Sequence, residues 1–221
     1  SEHSIATLRV VELLDALRTR RSIRNFDPQH RLSDAELKHL IGWSQLAPTS
    51  FNMQNWHFIA VTDVAVKEQL WLASWKQTPV RDASVVVVLA GDHGAPRRSA
   101  RFLRHAPASV AQRIDGYVQS LYAQNPQLAR DEACRSVGFA GMAMMLVAKE
   151  MGYDTCPMIG FDPVQVSAAL GLDAEHPPLL MMTVGKALAP AFPRTGFLDY
   201  QETVSINRFG NHSFAGEPPA A

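Results

Sequence analysis

The chain has 221 residues, 47% of them hydrophobic and 19% charged, a balance that excludes a disordered or collagen-like polymer. Lys plus Arg and Asp plus Glu are 21 each, and the resulting zero net charge weighs against a dedicated nucleic-acid binder. Two cysteines, Cys134 and Cys156, are too few for a disulfide framework or a four-Cys zinc site and suit a reducing compartment. At the N-terminus, Ser1–Thr7 lacks a basic stretch leading into an apolar core, so no signal peptide is expected. Leu8, Val11, Leu14, Ala16 and Leu17 then recur at helical spacing up to Arg18–Arg21. Ser33-Asp34-Ala35-Glu36 spells a capping box, which opens a helix carrying Leu37, Leu40, Ile41 and Leu46 and stopping before Pro48. Trp56–Val61 reads as a strand, Val64–Trp75 as a short helix, and the Val-rich run Ser84–Ala90 as a strand buried on both faces.

Residues 92–106 are weakly periodic and carry Arg97, Arg98, Arg101 and Arg104. Helices are expected over 107–124 and 127–151, the second rich in small residues and methionine around Gly138–Ala148. Neither apolar run, Ser84–Ala90 or Ala140–Ala148, approaches the ~20 residues that span a bilayer, so no membrane segment is expected and the expected location is the cytoplasm. Tyr153–Cys156 reads as a strand and Asp162–Leu170 as a helix with Pro163 at its first position and Gly171 as its C-terminal stop. Leu179–Val184 is another buried strand, Glu202–Ile206 could be extended, and residues 215–221 have the composition of a disordered tail. No linker divides the chain, so a single α+β domain over residues 1–221 is expected.

Three segments stand out chemically. In Arg20-Arg21-Ser22-Ile23-Arg24-Asn25-Phe26, an extended backbone puts Arg20, Ser22 and Arg24 on one face, where guanidinium forks suit phosphate oxygens. A solvated basic end completing the helix dipole explains the same residues equally well. Pro48-Thr49-Ser50-Phe51-Asn52-Met53-Gln54-Asn55-Trp56 is a polar loop; turn chemistry accounts for Pro, Thr, Ser and Asn, but less readily for Gln54 and Trp56. Pro157-Met158-Ile159-Gly160-Phe161-Asp162 joins a strand to a helix, and its backbone N–H groups could face a planar heterocycle, with Gly160 permitting close approach. A plain connection is the simpler reading of that stretch alone. No GxGxxG, Walker A or GxSxG motif occurs, and the eight histidines show no metal-ligand spacing. His57, inside a strand, reads as structural.

Taken in order, these segments resemble the nitroreductase family of FMN-dependent NAD(P)H oxidoreductases, from about Leu13 to Gly210. The resemblance implies a three-layer α+β fold: a mostly antiparallel central sheet surrounded by helices, with a C-terminal arm over about 190–214 wrapping a dimer partner. It implies that Arg20, Arg21, Ser22 and Arg24 grip the phosphate, ribityl chain and pyrimidine edge of FMN. Gln77, five residues before Asp82, matches a flavin-contacting amide. Pro157, Met158, Ile159 and Gly160 match the turn facing flavin N5 and O4, and Arg194 matches a basic residue reaching the phosphate. Pro48, Thr49, Ser50 and Asn52 match a loop touching the flavin of the other subunit, which implies a homodimer with shared sites.

The implied reaction is hydride transfer from NAD(P)H by a ping-pong mechanism to nitroaromatics, quinones or related electron-poor acceptors, with no catalytic side chain and no metal. Two positions depart from the family pattern. Ile159 stands where many members have Glu, and Gly196 where some have a second basic residue after Arg194. Alternatives are a dehalogenase, enone reductase or oxidase of the same fold, or a flavin-binding protein without turnover. Neither nucleic acid nor membrane is an expected partner.

Overall fold

The computed structural model describes residues 11–212 and 214–219; Ser1–Thr7 and Leu8 lie outside them. Among the described residues, four strands form one antiparallel sheet in the order β1-β2-β4-β3: β1 (Trp56–Val61), β2 (Val85–Gly91), β3 (Asp154–Met158) and β4 (Pro178–Gly185). The Val run is the axis of the molecule. β2 is buried along its whole length, because each of its faces is covered by a different helical layer.

Odd positions Val85, Val87 and Leu89 pack with Leu40 of α2 (Asp34–Ser44) and with Val137, Ala140 and Met144 of α7 (Pro126–Glu150). Even positions Val86 and Val88 pack with Leu70 of α3 (Val64–Ala73), Val80 of α4 (Thr78–Asp82) and Val166 of α8 (Pro163–Leu170). Burial of each such side chain stabilises the fold by about 1.5–3 kcal/mol. The result is helix, sheet and helix in three layers, the expected α+β arrangement. No described helix is long and apolar enough to cross a membrane.

Several helix ends follow from the letters. Ser33 accepts from the Glu36 amide at 3.2 Å, and Glu36 accepts from the Ser33 amide at 2.8 Å, completing the capping box. The second Glu36 carboxylate oxygen accepts the Tyr153 hydroxyl at 2.8 Å. Burial, then the Glu36 bond, pushes the Tyr153 phenol up to about 12. Asp162 caps α8 through the amides of Val164 and Gln165, and Gly171 ends it at φ +67°, where only glycine is unstrained.

Other segments differ from expectation. The helix expected over 107–124 is α6 (Ala108–Val118) followed by a wider, π-helical turn at Gln119–Ala123. α3 stops at Ala73 rather than Trp75, because Trp75 and Lys76 adopt left-handed backbone at φ 51° and 59°. The weakly periodic stretch contains a 3-10 turn (Ala95–Arg98) and α5 (Ala100–Leu103). Buried Asp92 bonds Arg98 and Arg101, while Glu175 bonds Arg97 and Arg98, stapling this stretch to the loop before β4. Glu202 is not in an extended segment. It is the third residue of α9 (Tyr200–Thr203), held there by a second capping box with Asp199. Residues 215–219 form no helix or strand, yet Gly216 donates to Asp199 at 2.9 Å and accepts from the Tyr200 amide at 2.7 Å. Residues 220 and 221 lie outside the described part.

Candidate functional site

The site is assembled where the chain leaves its first helix. α1 (Leu13–Thr19) ends because Arg20 turns extended at φ −60°, ψ 129°. The Ile23 amide then donates to the Thr155 carbonyl on the free edge of β3, beside a parallel bridge between Ser22 and Thr155. Further along, the Asp27 amide donates to the Lys186 carbonyl and the Leu188 amide to the Asn25 carbonyl, at 2.8 and 2.9 Å. Ile23 and Phe26 turn inward against Ala83. Those two anchors leave Ser22 and Arg24 facing out, so Arg20, Ser22 and Arg24 do line one surface.

That surface is a double cleft. A larger cavity of about 830 Å³ is bounded by α1, by Met142 and Met145 of α7, and by Pro157, Arg194 and Phe197. A smaller one of about 370 Å³ adjoins it along Arg20, Ser22, Arg194 and Phe197 and adds Arg21 and Arg24. Volumes of this size suit a small molecule or cofactor.

The electrostatics are one-sided. Arg194 donates to the carbonyls of Arg20 and Arg18 at 3.0 and 3.3 Å, the carbonyl-rich end of α1, and its buried Nε has no partner. Arg21 donates to the Phe192 carbonyl. Burial, and then the neighbouring Arg194 and Arg21 cations, pull the Arg20 guanidinium below its ordinary value. Among the described residues none of Arg20, Arg21, Arg24 or Arg194 is paired with a carboxylate; Asp15, on the cavity wall, is taken by Arg18. Adjacent guanidiniums without counter-charge form a receptor for an anion, and their planar forks match phosphate oxygens.

The strand-to-helix turn lies along the same edge. Pro157 lines the large cavity, while the Met158 side chain points into the core with Phe161 and Val166. From that turn Ile159 is 78% exposed. Gln77 ties the turn to the arginine segment: its Oε1 accepts from Arg24 at 3.0 Å and its Nε2 donates to the Gly160 carbonyl at 2.9 Å. A Cβ on Gly160 would sit 2.9 Å from that Nε2, so a larger residue would push the Gln77 amide aside. Arg20, Arg21, Ser22, Arg24, Gln77, Pro157, Ile159, Gly160 and Arg194 thus form one neighbourhood, to which Met158 contributes backbone alone.

Pro48, Thr49, Ser50 and Asn52 do not join it. They sit on the loop between α2 and β1, and neither cavity includes them. That loop has its own rigid geometry. Phe51, Asn52 and Gln54 have φ of 52°, 54° and 48°, the Gln54 amide donates to Thr49 Oγ1 at 3.0 Å, and the Ser50 and Tyr122 hydroxyls share a bond of 2.7 Å. Sequence reasoning missed Met142, Met145 and Phe197 as cleft residues. The two methionines carried a signal, an i, i+3 pair on a helix face, which by itself does not distinguish core from cavity wall. Phe197, in an arm without periodicity, carried none.

The comparisons with known proteins agree with this geometry. Protein DrgA of Synechocystis is 41% identical over 177 residues, covering 80% of this chain and 84% of that protein. The CLA biosynthesis enone reductase of Lactiplantibacillus plantarum is 30% identical over 186 residues, covering 80% and 86%. A crystal structure from Exiguobacterium sibiricum, named as a nitroreductase in complex with FMN, superposes with a TM-score of 0.76 at 28% identity, covering 86% and 95%. The model of the nitroreductase family matches residues 17–186, a span that runs from the end of α1 to the end of β4 and holds the cleft residues other than Leu14, Asp15 and those of the C-terminal arm and tail. With most of its length matched in this way, the chain belongs to the nitroreductase family and is an oxidoreductase of that family.

Proposed function

We propose that this protein is an FMN-dependent oxidoreductase that takes hydride from NAD(P)H and reduces nitroaromatics, quinones or related electron-poor acceptors by a ping-pong mechanism. The observation carrying this reading is the cluster of Arg20, Arg21, Arg24 and Arg194 without a carboxylate, set on the rim of a cavity walled by Met142, Met145, Pro157 and Phe197. One end fits a single phosphate; the other fits a flat, largely apolar ring. The FMN complex of the Exiguobacterium protein supports the same assignment.

When bound, FMN supplies the redox chemistry, accepting a hydride equivalent from one substrate and releasing it to another. The chain's residues do the rest. Arg20 and Arg194 neutralise the phosphate, with Ser22 as a hydroxyl donor beside them. Gln77 fixes Arg24 and the Gly160 carbonyl at a set separation, so the cation and the turn move as one body. Met142, Met145 and Phe197 exclude water from the ring. In this reading no side-chain general acid is required, and a single pocket serves donor and acceptor in turn.

The working unit in this reading is a cytoplasmic homodimer, in which Pro48, Thr49, Ser50 and Asn52 complete the partner's pocket and residues 190–214 embrace the partner. The exposed face of α7 around Phe139 and the apolar side chains of the arm, Phe192 and Leu198, support it. The visible spectrum of the purified protein, before and after anaerobic NADPH, is the decisive test. A bound flavin spectrum that bleaches is expected; protein that neither carries nor binds FMN refutes the proposal. Enone reduction is the second reading, favoured by the 30% identical enone reductase and by the apolar Ile159 at the turn. A panel of quinones, nitroarenes and enones ranks the two.

A further inference from the structure

Trp75 is an unusual residue in an unusual place. It follows α3 in the left-handed region at φ 51°, and Lys76 repeats that conformation at 59°. Glycine adopts this backbone at least cost, and a large aromatic residue there is strained. The strain does not serve the core, because Trp75 is 67% exposed. The hook is nonetheless well anchored. The Lys76 amide donates to the Trp71 carbonyl at 2.9 Å, and the Asp162 amide donates to Ala73 at 2.8 Å, fastening the end of α3 to the start of α8.

The consequence of the hook is position. The outer ring of Trp75 lies against Gly160, with Cζ3 3.7 Å from where a Cβ on that glycine would stand. Two residues on, Gln77 holds the Gly160 carbonyl. Ile159, the neighbouring residue of the same turn, is 78% exposed. An indole and a branched alkyl group are therefore both exposed at this turn, which Gln77 ties to Arg24.

We infer that Trp75 is a specificity-determining residue that selects planar aromatic acceptors by stacking beside the turn at Gly160. The inference rests on the proposed flavin site and names its acceptor class. An indole face favours nitroarenes and naphthoquinones over aliphatic enones, because a flat π-system gains stacking that an open alkyl chain does not.

The test compares wild type, Trp75→Ala and Trp75→Phe as FMN-loaded enzymes. Trp75→Ala is expected to raise KM for a naphthoquinone and a nitroarene about five- to tenfold. KM for an aliphatic enone is expected to stay within about twofold, and Trp75→Phe to recover most of the aromatic preference. FMN content and dimer mass by light scattering are expected to be unchanged in both variants. An unchanged ratio of aromatic to aliphatic KM in Trp75→Ala overturns the inference, as does loss of FMN or of the dimer in that variant, which would give the indole a structural role. A wild-type protein that does not bind FMN fails the functional reading itself. A functional holoenzyme indifferent to Trp75→Ala fails this inference alone.

Discussion

Replacing Arg20 with alanine separates a binding role from a folding role, because the two predict opposite behaviour in the cofactor-free protein. In the structure Arg20 is partly buried, has Arg194 and Arg21 as neighbours, and among the described residues its side chain hydrogen-bonds only the Met145 sulfur, at 3.8 Å. No favourable ion pair is lost on truncation, and a repulsion is relieved. The cofactor-free Arg20→Ala protein should therefore melt within about 2 °C of wild type, as expected for a change worth no more than about 0.5 kcal/mol in a domain of this size. With FMN the balance reverses. One charge-assisted hydrogen bond to a phosphate contributes about 1.5–3 kcal/mol, so the variant should bind FMN roughly 10- to 150-fold more weakly. Quenching of flavin fluorescence on titration into stripped protein measures that ratio, and thermal melts with and without FMN measure the linkage. Arg20→Lys should fall between, since an ammonium keeps the charge but loses the fork. Undiminished FMN affinity in Arg20→Ala would falsify the phosphate assignment. A cofactor-free melt lowered by more than about 5 °C would show that Arg20 holds the fold instead.

Ile159→Glu changes only an exposed side chain, so FMN content should persist while acceptor preference shifts; colourless protein after purification would contradict this. Leu89→Ala opens a cavity in the fully buried central strand and should destabilise by about 2–5 kcal/mol, measured as a shift of the urea midpoint at constant slope. Glu36 is held below its ordinary value of 4.5, chiefly by the Ser33 amide. Its contribution is therefore complete above that value and fades as pH falls through the lower folded-state value. Glu36→Gln should cost about 1 kcal/mol near neutrality and flatten that part of the acid limb; an unchanged acid profile would remove the capping box from the account.

The parts of the fold with a strong local cause were readable. Trp56–Val61 is an apolar, aromatic- and β-branched-rich run bounded by Asn55 and Thr62, and β1 has those limits. Ser33 and Glu36 sit at capping-box spacing and form both bonds. Arg20, Ser22 and Arg24 share a face because the segment is extended, which the order of Ile23 and Phe26 as inward anchors enforces. What stayed hidden depends on distant partners. Nothing near Gln77 says that it reaches both Arg24 and Gly160, since those contacts are created by α3 and α8 docking on one sheet face. The Asp199–Glu202 capping box was written in the letters, but with no apolar periodicity behind it a four-residue helix gives no second signal. The break at Val118 was equally silent, because a π turn has the same composition as the helix it interrupts.

That π turn sets the rotational phase of the molecule's second wall. An α-helix advances about 100° per residue, and a π turn accommodates one residue more than an α turn does. The extra residue between Gln119 and Ala123 is absorbed within the wider turn, so α6 keeps its phase; were the same residues to form an unbroken α-helix, α6 would rotate by about 100° against everything that follows. Ile114, Val118 and Tyr122 now point together into a small cluster with Met53 and Ala129. In that unbroken helix, either the first two would leave the cluster or Tyr122 would leave Ser50. The wider turn thus keeps two clocks in step: the one that seats α6, and the one that hands a hydroxyl to the strained loop carrying Phe51 and Asn52.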